Sequence, residues 1–165
     1  MEITEAADES KAESKRAPFD LDLPSQPAGG LAGWLGPLAV TGLAALLRLP
    51  NLGRPHAVIF DETYYVKDSL ALIKYGHEQK VIENADTVLL ANHSYYFPNI
   101  FTDGASYIVH PPVGKWIIGI GELAFGANPF GWRIAMAVLG ILSVLLTARI
   151  ARRLTNSNFI GTVAG

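Results

Sequence analysis

Hydrophobic positions in this chain are gathered into long runs, not spread at the short intervals of a water-soluble core. From Leu31 to Leu47 no charge interrupts the sequence. Gly29-Gly30 and Arg48 bound the run, and Trp34 lies near one end, as an interfacial aromatic would. Extended by Gly30 and Leu49, the run predicts a transmembrane helix over residues 30–49. A second run, residues 131–150, begins beside Trp132, has Arg133 as its one early charge and ends among Arg149, Arg152 and Arg153. It predicts a second span, followed by a turn at 151–158. Residues 159–165 become apolar again and read as the start of a third span, so the chain reads as the N-terminal portion of a larger multi-pass protein.

Between the runs the pattern shortens. Pro50, Gly53 and Pro55 break the first helix. Val66, Leu70 and Ile73 then recur on one helical face, Lys74 falls in the last turn and Gly76 stops it, predicting a surface helix over about 61–75. His110-Pro111-Pro112 opens another, over about 112–125, since prolines suit a helix start where N–H groups lack intrahelical partners anyway. Val113, Trp116, Ile117, Ile120 and Ala124 share one face, while Lys115 and Glu122 lie on another. Both segments fit amphipathic helices lying on a membrane surface. Asn128-Pro129 breaks the second, a strand or hairpin is expected at Thr87 to Leu90, and the rest of 77–107 reads as loop.

Composition sharpens this reading. Half of the 165 residues are hydrophobic and only 17% are charged, which suits membrane spans once the clustering is known. Seven acids against three bases give residues 1–28 a local charge of −4, with three prolines and no apolar periodicity, so a disordered tail is expected there. That acidic lead also differs from the basic start of a cleaved signal peptide. The remainder carries +2 of a total of −2, without a basic stripe, which excludes a nucleic-acid surface. Without cysteine there are no disulfides or thiolate metal sites. Arg149, Arg152 and Arg153 place their end of the second span in the cytoplasm, which puts the N-terminal tail in the cytoplasm and residues 50–130 outside; Arg48 and Arg54 argue the other way.

The candidate chemistry lies just after the first span, in Phe60-Asp61-Glu62-Thr63-Tyr64-Tyr65. An Asp opening a helix commonly caps it, and an adjacent Glu favours the positive end of the helix dipole. Paired carboxylates at headgroup depth also suit a reaction on a lipid-borne substrate, and both readings stay open on these residues alone. Asp61 and Glu62 could join His110 around a divalent ion, but that spacing is not diagnostic, and neither a metal nor another cofactor is expected.

Three motifs in order, Phe60-Asp61-Glu62, His110-Pro111-Pro112-Val113-Gly114-Lys115 and Asn128-Pro129-Phe130-Gly131-Trp132-Arg133, resemble the protein O-mannosyltransferase family. The resemblance spans roughly residues 30–153, the N-terminal portion of that family's catalytic domain. It implies an all-α integral membrane protein of the GT-C glycosyltransferase type at the plasma membrane. It also implies transfer of mannose from a polyprenyl-phosphate-mannose donor to Ser or Thr hydroxyls of exported proteins, with the protein export machinery as a further partner. Asp61 is the expected base in an inverting single displacement. A carboxylate at a helix N-terminus is a weak base, adequate where the transition state is oxocarbenium-like and proton transfer is late. Glu62 is expected to position acceptor or neighbouring groups. Arg133 suits the lipid-phosphate leaving group, with Lys115 and His110 helping to bind donor phosphate or acceptor.

Two other readings fit part of the pattern. An aminoarabinose-type transferase of the same fold carries a similar acidic pair and proline pair, typically with Lys before the prolines, where this chain has His110. A two-span anchor or adaptor needs only the interfacial aromatics and amphipathic helices. A donor pocket closed by two spans would be incomplete, so the 165 residues alone are expected to be inactive.

Overall fold

The computed structural model describes residues 30–91 and 98–165; the expected tail at 1–28 lies outside the described residues. Among the described residues, six helices and one two-stranded ribbon follow in the order α1 (Ala32–Arg48), α2 (Glu62–Tyr75), β1 (Gln79–Val81), α3 (Ala85–Ala91), β2 (Phe101–Ala105), α4 (Pro112–Phe125), α5 (Pro129–Thr155) and α6 (Asn158–Ala164). β1 and β2 are antiparallel, with Gln79 opposite Ala105 and Val81 opposite Phe101.

α5 is the axis of the fold and packs against α1, α4 and α6. Its start is fixed locally. The Asn128 side-chain oxygen accepts hydrogen bonds from the Phe130 and Gly131 backbone N–H groups, and Pro129 takes the first helical position. At 27 residues and a mean hydropathy of 2.2 over its most apolar stretch, it is long and apolar enough to cross a membrane. It runs to Thr155, so Arg152 and Arg153 lie inside its last turn and not in the expected turn at 151–158; the break falls at Asn156, whose φ is +55°.

α1 has 17 residues, or about 26 Å of helix against a hydrocarbon core of about 30 Å. Pro37 within it removes the N–H that would reach the Gly33 carbonyl. That carbonyl instead lies 3.4 Å from Arg149 Nη1, whose guanidinium stacks 3.7 Å from the Trp34 ring centre. The substitute donor from α5 lets an interior proline persist in a packed helix.

α2, α3, the ribbon and α4 form a cap against the start of α5. Its core is Val66, Leu70, Ala85, Leu89, Ile100, Ala127 and Trp132. The strand or hairpin expected at Thr87 to Leu90 is instead part of α3, whose Ala85 and Leu89, one turn apart, both face this core. Period-four burial won over the local β propensity of Thr87 and Val88.

α4 differs from an ordinary surface helix. Lys115 and Glu122, the charged residues on it, are buried at 2% and 1% exposure, while Val113, Trp116, Ile120 and Leu123 are exposed. Its polar positions face the protein and its apolar face is left outward, the reverse of a helix on a soluble domain. Close approach to its neighbours is possible because Gly119 meets Ile73 and Ser69 of α2, and Gly121 meets the Gly131 backbone of α5.

Candidate active site

The start of α2 positions the acidic pair. Phe60 takes a left-handed conformation, φ +49°, and is 84% exposed. A non-glycine residue held there stores about 1–3 kcal/mol of strain, the kind of feature that clusters at functional sites. Asp61 follows at the N-cap, yet its side chain makes no capping hydrogen bond. The first-turn N–H groups of Glu62, Thr63 and Tyr64 bond the carbonyls of Ile59, Phe60 and Asp61 instead, and Glu62 Oε2 accepts a hydrogen bond from the Ile59 N–H at 3.0 Å, which ties it to the incoming segment. The Asp61 carboxylate is therefore not spent on capping.

Glu62 is also locked from the other side. Arg133, in the early turns of α5, donates Nε to Glu62 Oε1 at 2.6 Å and Nη2 to Oε2 at 2.8 Å, a two-pronged pair. Its remaining donors reach the carbonyls of Leu52 (3.2 Å), Pro55 (3.1 Å) and Ala57 (2.9 Å). All five guanidinium N–H groups have protein acceptors. Burial alone would raise the Glu62 pKa, but the bonds from Arg133 and Ile59 and the Arg133 charge outweigh it, so its carboxyl is held below the usual range. Arg133 thus ties the connecting loop 52–62 to α5 and fixes where Asp61 emerges.

A cleft of about 380 Å³ opens beside this arrangement, with Asp61, Glu62, Arg133 and Trp132 among its walls. A second chamber, about 170 Å³, adjoins it. Tyr65, Ile118 and Met136 belong to both and form the common wall. His110 and Pro111 line the second chamber, and the His110 ring meets Tyr65 edge-on with centroids 5.8 Å apart. His110 is another left-handed residue, φ +67°, so the two strained positions of the cap flank the two ends of one cleft.

Lys115 belongs to the second chamber's wall, but its ammonium is engaged elsewhere. Nζ lies 2.8 Å from Asp68 Oδ2 of α2 and 3.0 Å from Glu78 Oε1, just before β1. Burial opposes ionisation of Lys115 and Glu78. The hydrogen bonds outweigh it, raising the Lys115 pKa and lowering that of Glu78. Asp68 and Glu78 were not singled out from the sequence; Asp68 lies next to Ser69 on the buried face of α2, and an acid flanked by Val66, Ser69 and Leu70 was the available signal.

The structure therefore brings Asp61, Glu62, Arg133 and, across a shared wall, His110 and Lys115 to one cleft. Asp61 and His110 are exposed, whereas Arg133 and Lys115 spend their donors on the chain's own acceptors. Among the described residues no group of three His, Cys, Asp or Glu side chains is placed to hold a metal.

The family described as dolichyl-phosphate-mannose-protein mannosyltransferase matches residues 109–165, from just before His110 through α6. A polyprenol-phosphate-mannose--protein mannosyltransferase of Mycolicibacterium smegmatis is 37% identical over 142 residues, 84% of this chain and 23% of that protein. Its Mycobacterium tuberculosis counterpart is 35% identical over 143 residues, again 84% and 23%. An undecaprenyl phosphate-alpha-4-amino-4-deoxy-L-arabinose arabinosyl transferase of Pseudomonas fluorescens is 37% identical over 123 residues, 74% of this chain and 19% of that protein. The chain thus spans about a quarter of the length of the mannosyltransferases it matches. No solved structure matches it. Together with the long apolar helix α5, these matches mark a membrane protein: the chain belongs to the dolichyl-phosphate-mannose-protein mannosyltransferase family.

Proposed function

We propose that the full-length protein transfers mannose from a polyprenyl-phosphate-mannose donor to Ser or Thr hydroxyls of exported proteins. The observation that carries this reading is the exposed Asp61 carboxylate on a cleft wall, in a chain similar over 84% of its length to proteins named for that reaction. Asp61 has no side-chain capping bond to give up, so it is available as a base. The acceptor hydroxyl attacks the sugar's anomeric carbon as Asp61 takes its proton. The bond from that carbon to the phosphate oxygen breaks, and the phosphate leaves as a stable anion, so one displacement inverts the centre. The 380 Å³ cleft is ample for one hexose.

His110 is the cation-capable group left open toward the donor phosphate, because Arg133 and Lys115 are bonded to chain acceptors. Glu62 and Arg133 hold the loop from which Asp61 projects, a positioning contribution worth orders of magnitude when reacting groups must be held to within about 1 Å.

In the membrane, α1 and α5 are read as two spans of a GT-C-type glycosyltransferase in the plasma membrane. The tail at 1–28 is cytoplasmic, residues 50–130 lie outside with the exposed apolar face of α4 against the bilayer while the face of α2 that carries Val66 and Leu70 packs inward, and α6 begins a third span. Cysteines placed one at a time at residues 90 and 156 and labelled from each side test this orientation; label reaching residue 90 only from the cytoplasm overturns it.

The match to an aminoarabinose transferase supports a second donor class on the same architecture. A transfer assay with both lipid-linked sugars separates the two. Mannose transferred to a Ser/Thr peptide is the expected result, and preference for aminoarabinose would replace the donor while keeping the base. No transfer of either sugar, with the protein folded, returns the chain to an anchor or adaptor.

A further inference from the structure

Asp61 and His110 sit on different elements, one at the start of α2 and the other at the lead into α4. Their separation across the cleft is set by how α2 registers against α4. The interface between these helices is smooth at Gly119, which lets Ile73 and the Ser69 carbonyl come close. Apolar contacts of that kind tolerate sliding by a fraction of a turn. A buried ion cluster does not, because its partners must meet at hydrogen-bond distance or leave a charge uncompensated.

Such a cluster spans the interface. Lys115 lies close behind the His110-Pro111-Pro112 segment, and its Nζ meets Asp68 of α2 at 2.8 Å and Glu78 at 3.0 Å. The exposures of the three side chains are 2%, 12% and 6%. One ammonium thus joins α4, the middle of α2 and the segment leading into β1. A phosphate entering the adjoining chamber would compete with two carboxylates already in place.

We propose that Lys115 is a positioning residue, which with Asp68 and Glu78 sets the register of α2 on α4 and hence the separation of Asp61 from His110. This rests on the reading that Asp61 and His110 face the reacting donor. Lys115 acts through these carboxylates and not by touching the leaving phosphate.

The test compares initial rates of the full-length protein in membranes for wild type, Lys115→Met and the charge-free triple variant Lys115→Met/Asp68→Asn/Glu78→Gln, varying polyprenyl-phosphate-mannose. Lys115→Met is expected to lower kcat by about 10- to 100-fold with donor KM within about twofold of wild type. The triple variant leaves no buried charge unpaired, so it is expected to regain much of the lost kcat, again at wild-type donor KM. A donor KM raised at least about tenfold in both variants, with no recovery in the triple, would show a phosphate ligand and overturn the proposal. Should Lys115→Met fail to fold, the donor KM of the triple variant decides alone. Should wild type use lipid-linked aminoarabinose in place of mannose, only the mannose reading falls, and the same kcat and KM comparison is read with that donor.

Discussion

Replacing Glu122 by Gln removes a buried acid from the α2–α4 interface, and its effect can be worked out from the structure. Glu122 is 1% exposed, and Oε2 lies 2.6 Å from Ser69 Oγ. Burial pushes its carboxyl up to about 8 from an ordinary 4.5, and the Ser69 hydroxyl, which would lower it, offsets only part of that. Ser69 Oγ also lies 2.7 Å from the Val66 carbonyl, which can only accept. One hydroxyl hydrogen cannot serve both partners, and a neutral carboxyl resolves the conflict by donating its own proton to Ser69. No salt bridge among the described residues involves Glu122.

The sign follows from proton uptake. The folded protein keeps the Glu122 proton up to about pH 8, whereas the unfolded chain releases it near 4.5. Stability therefore falls as pH rises through that window, by about 1.4 kcal/mol per pH unit, and levels off above it. The full cost is about 5 kcal/mol, and about 3 kcal/mol of it is already present near pH 7. Glu122→Gln carries no such term, and its amide can still donate to Ser69. Thermal unfolding in detergent across this range should give melting curves that coincide near pH 4.5 and diverge toward pH 8, with the variant the more stable. Parallel profiles for the two proteins would refute the assigned protonation.

Other consequences follow from the same contacts. Glu62 and Glu78 have lowered folded-state pKa values, so the stability they supply is present above about 4.5 and lost as pH falls through their folded values; Glu78→Gln should flatten the acid limb of the melting profile, and an unchanged limb would count against the Lys115 cluster. Arg133→Lys keeps the charge but not the fork, so it should cost about 2 kcal/mol and speed amide hydrogen exchange at 59–62; unchanged exchange there would mean that the five bonds do not hold the loop. Gly121→Ala places a methyl against the Gly131 backbone, where α4 crosses α5, and should destabilise by about 1–3 kcal/mol; a wild-type melting point would show that the helices do not approach so closely.

Much of the fold was legible because its signals are local. Gly76, with φ +78°, ends α2 where the sequence placed the stop, and Asn128 with Pro129 starts the long helix in the way cap chemistry demands. Partnership was not legible. Nothing in the spacing of Lys115 said that its partners would be Asp68 and Glu78, since the ribbon that brings Glu78 into place depends on a pairing distant in sequence. The same limit applies to Arg133. A lone cation at the start of an apolar helix looks like a phosphate ligand until the carbonyls of Leu52, Pro55 and Ala57 are seen around it. What the polar side of α4 meets was not legible for a related reason: periodicity tells which residues share a side, while the buried partners of Lys115 and Glu122 come from elements distant in sequence.

Asp61→Asn in the full-length protein removes the proposed base while keeping the side chain's size. The measurement is mannose transferred from polyprenyl-phosphate-mannose to a Ser/Thr peptide, together with donor binding and the melting point. Transfer is expected to fall by about 100-fold or more, with donor affinity and stability near wild type. Transfer at the wild-type rate from a folded Asp61→Asn protein would contradict Asp61 as the base.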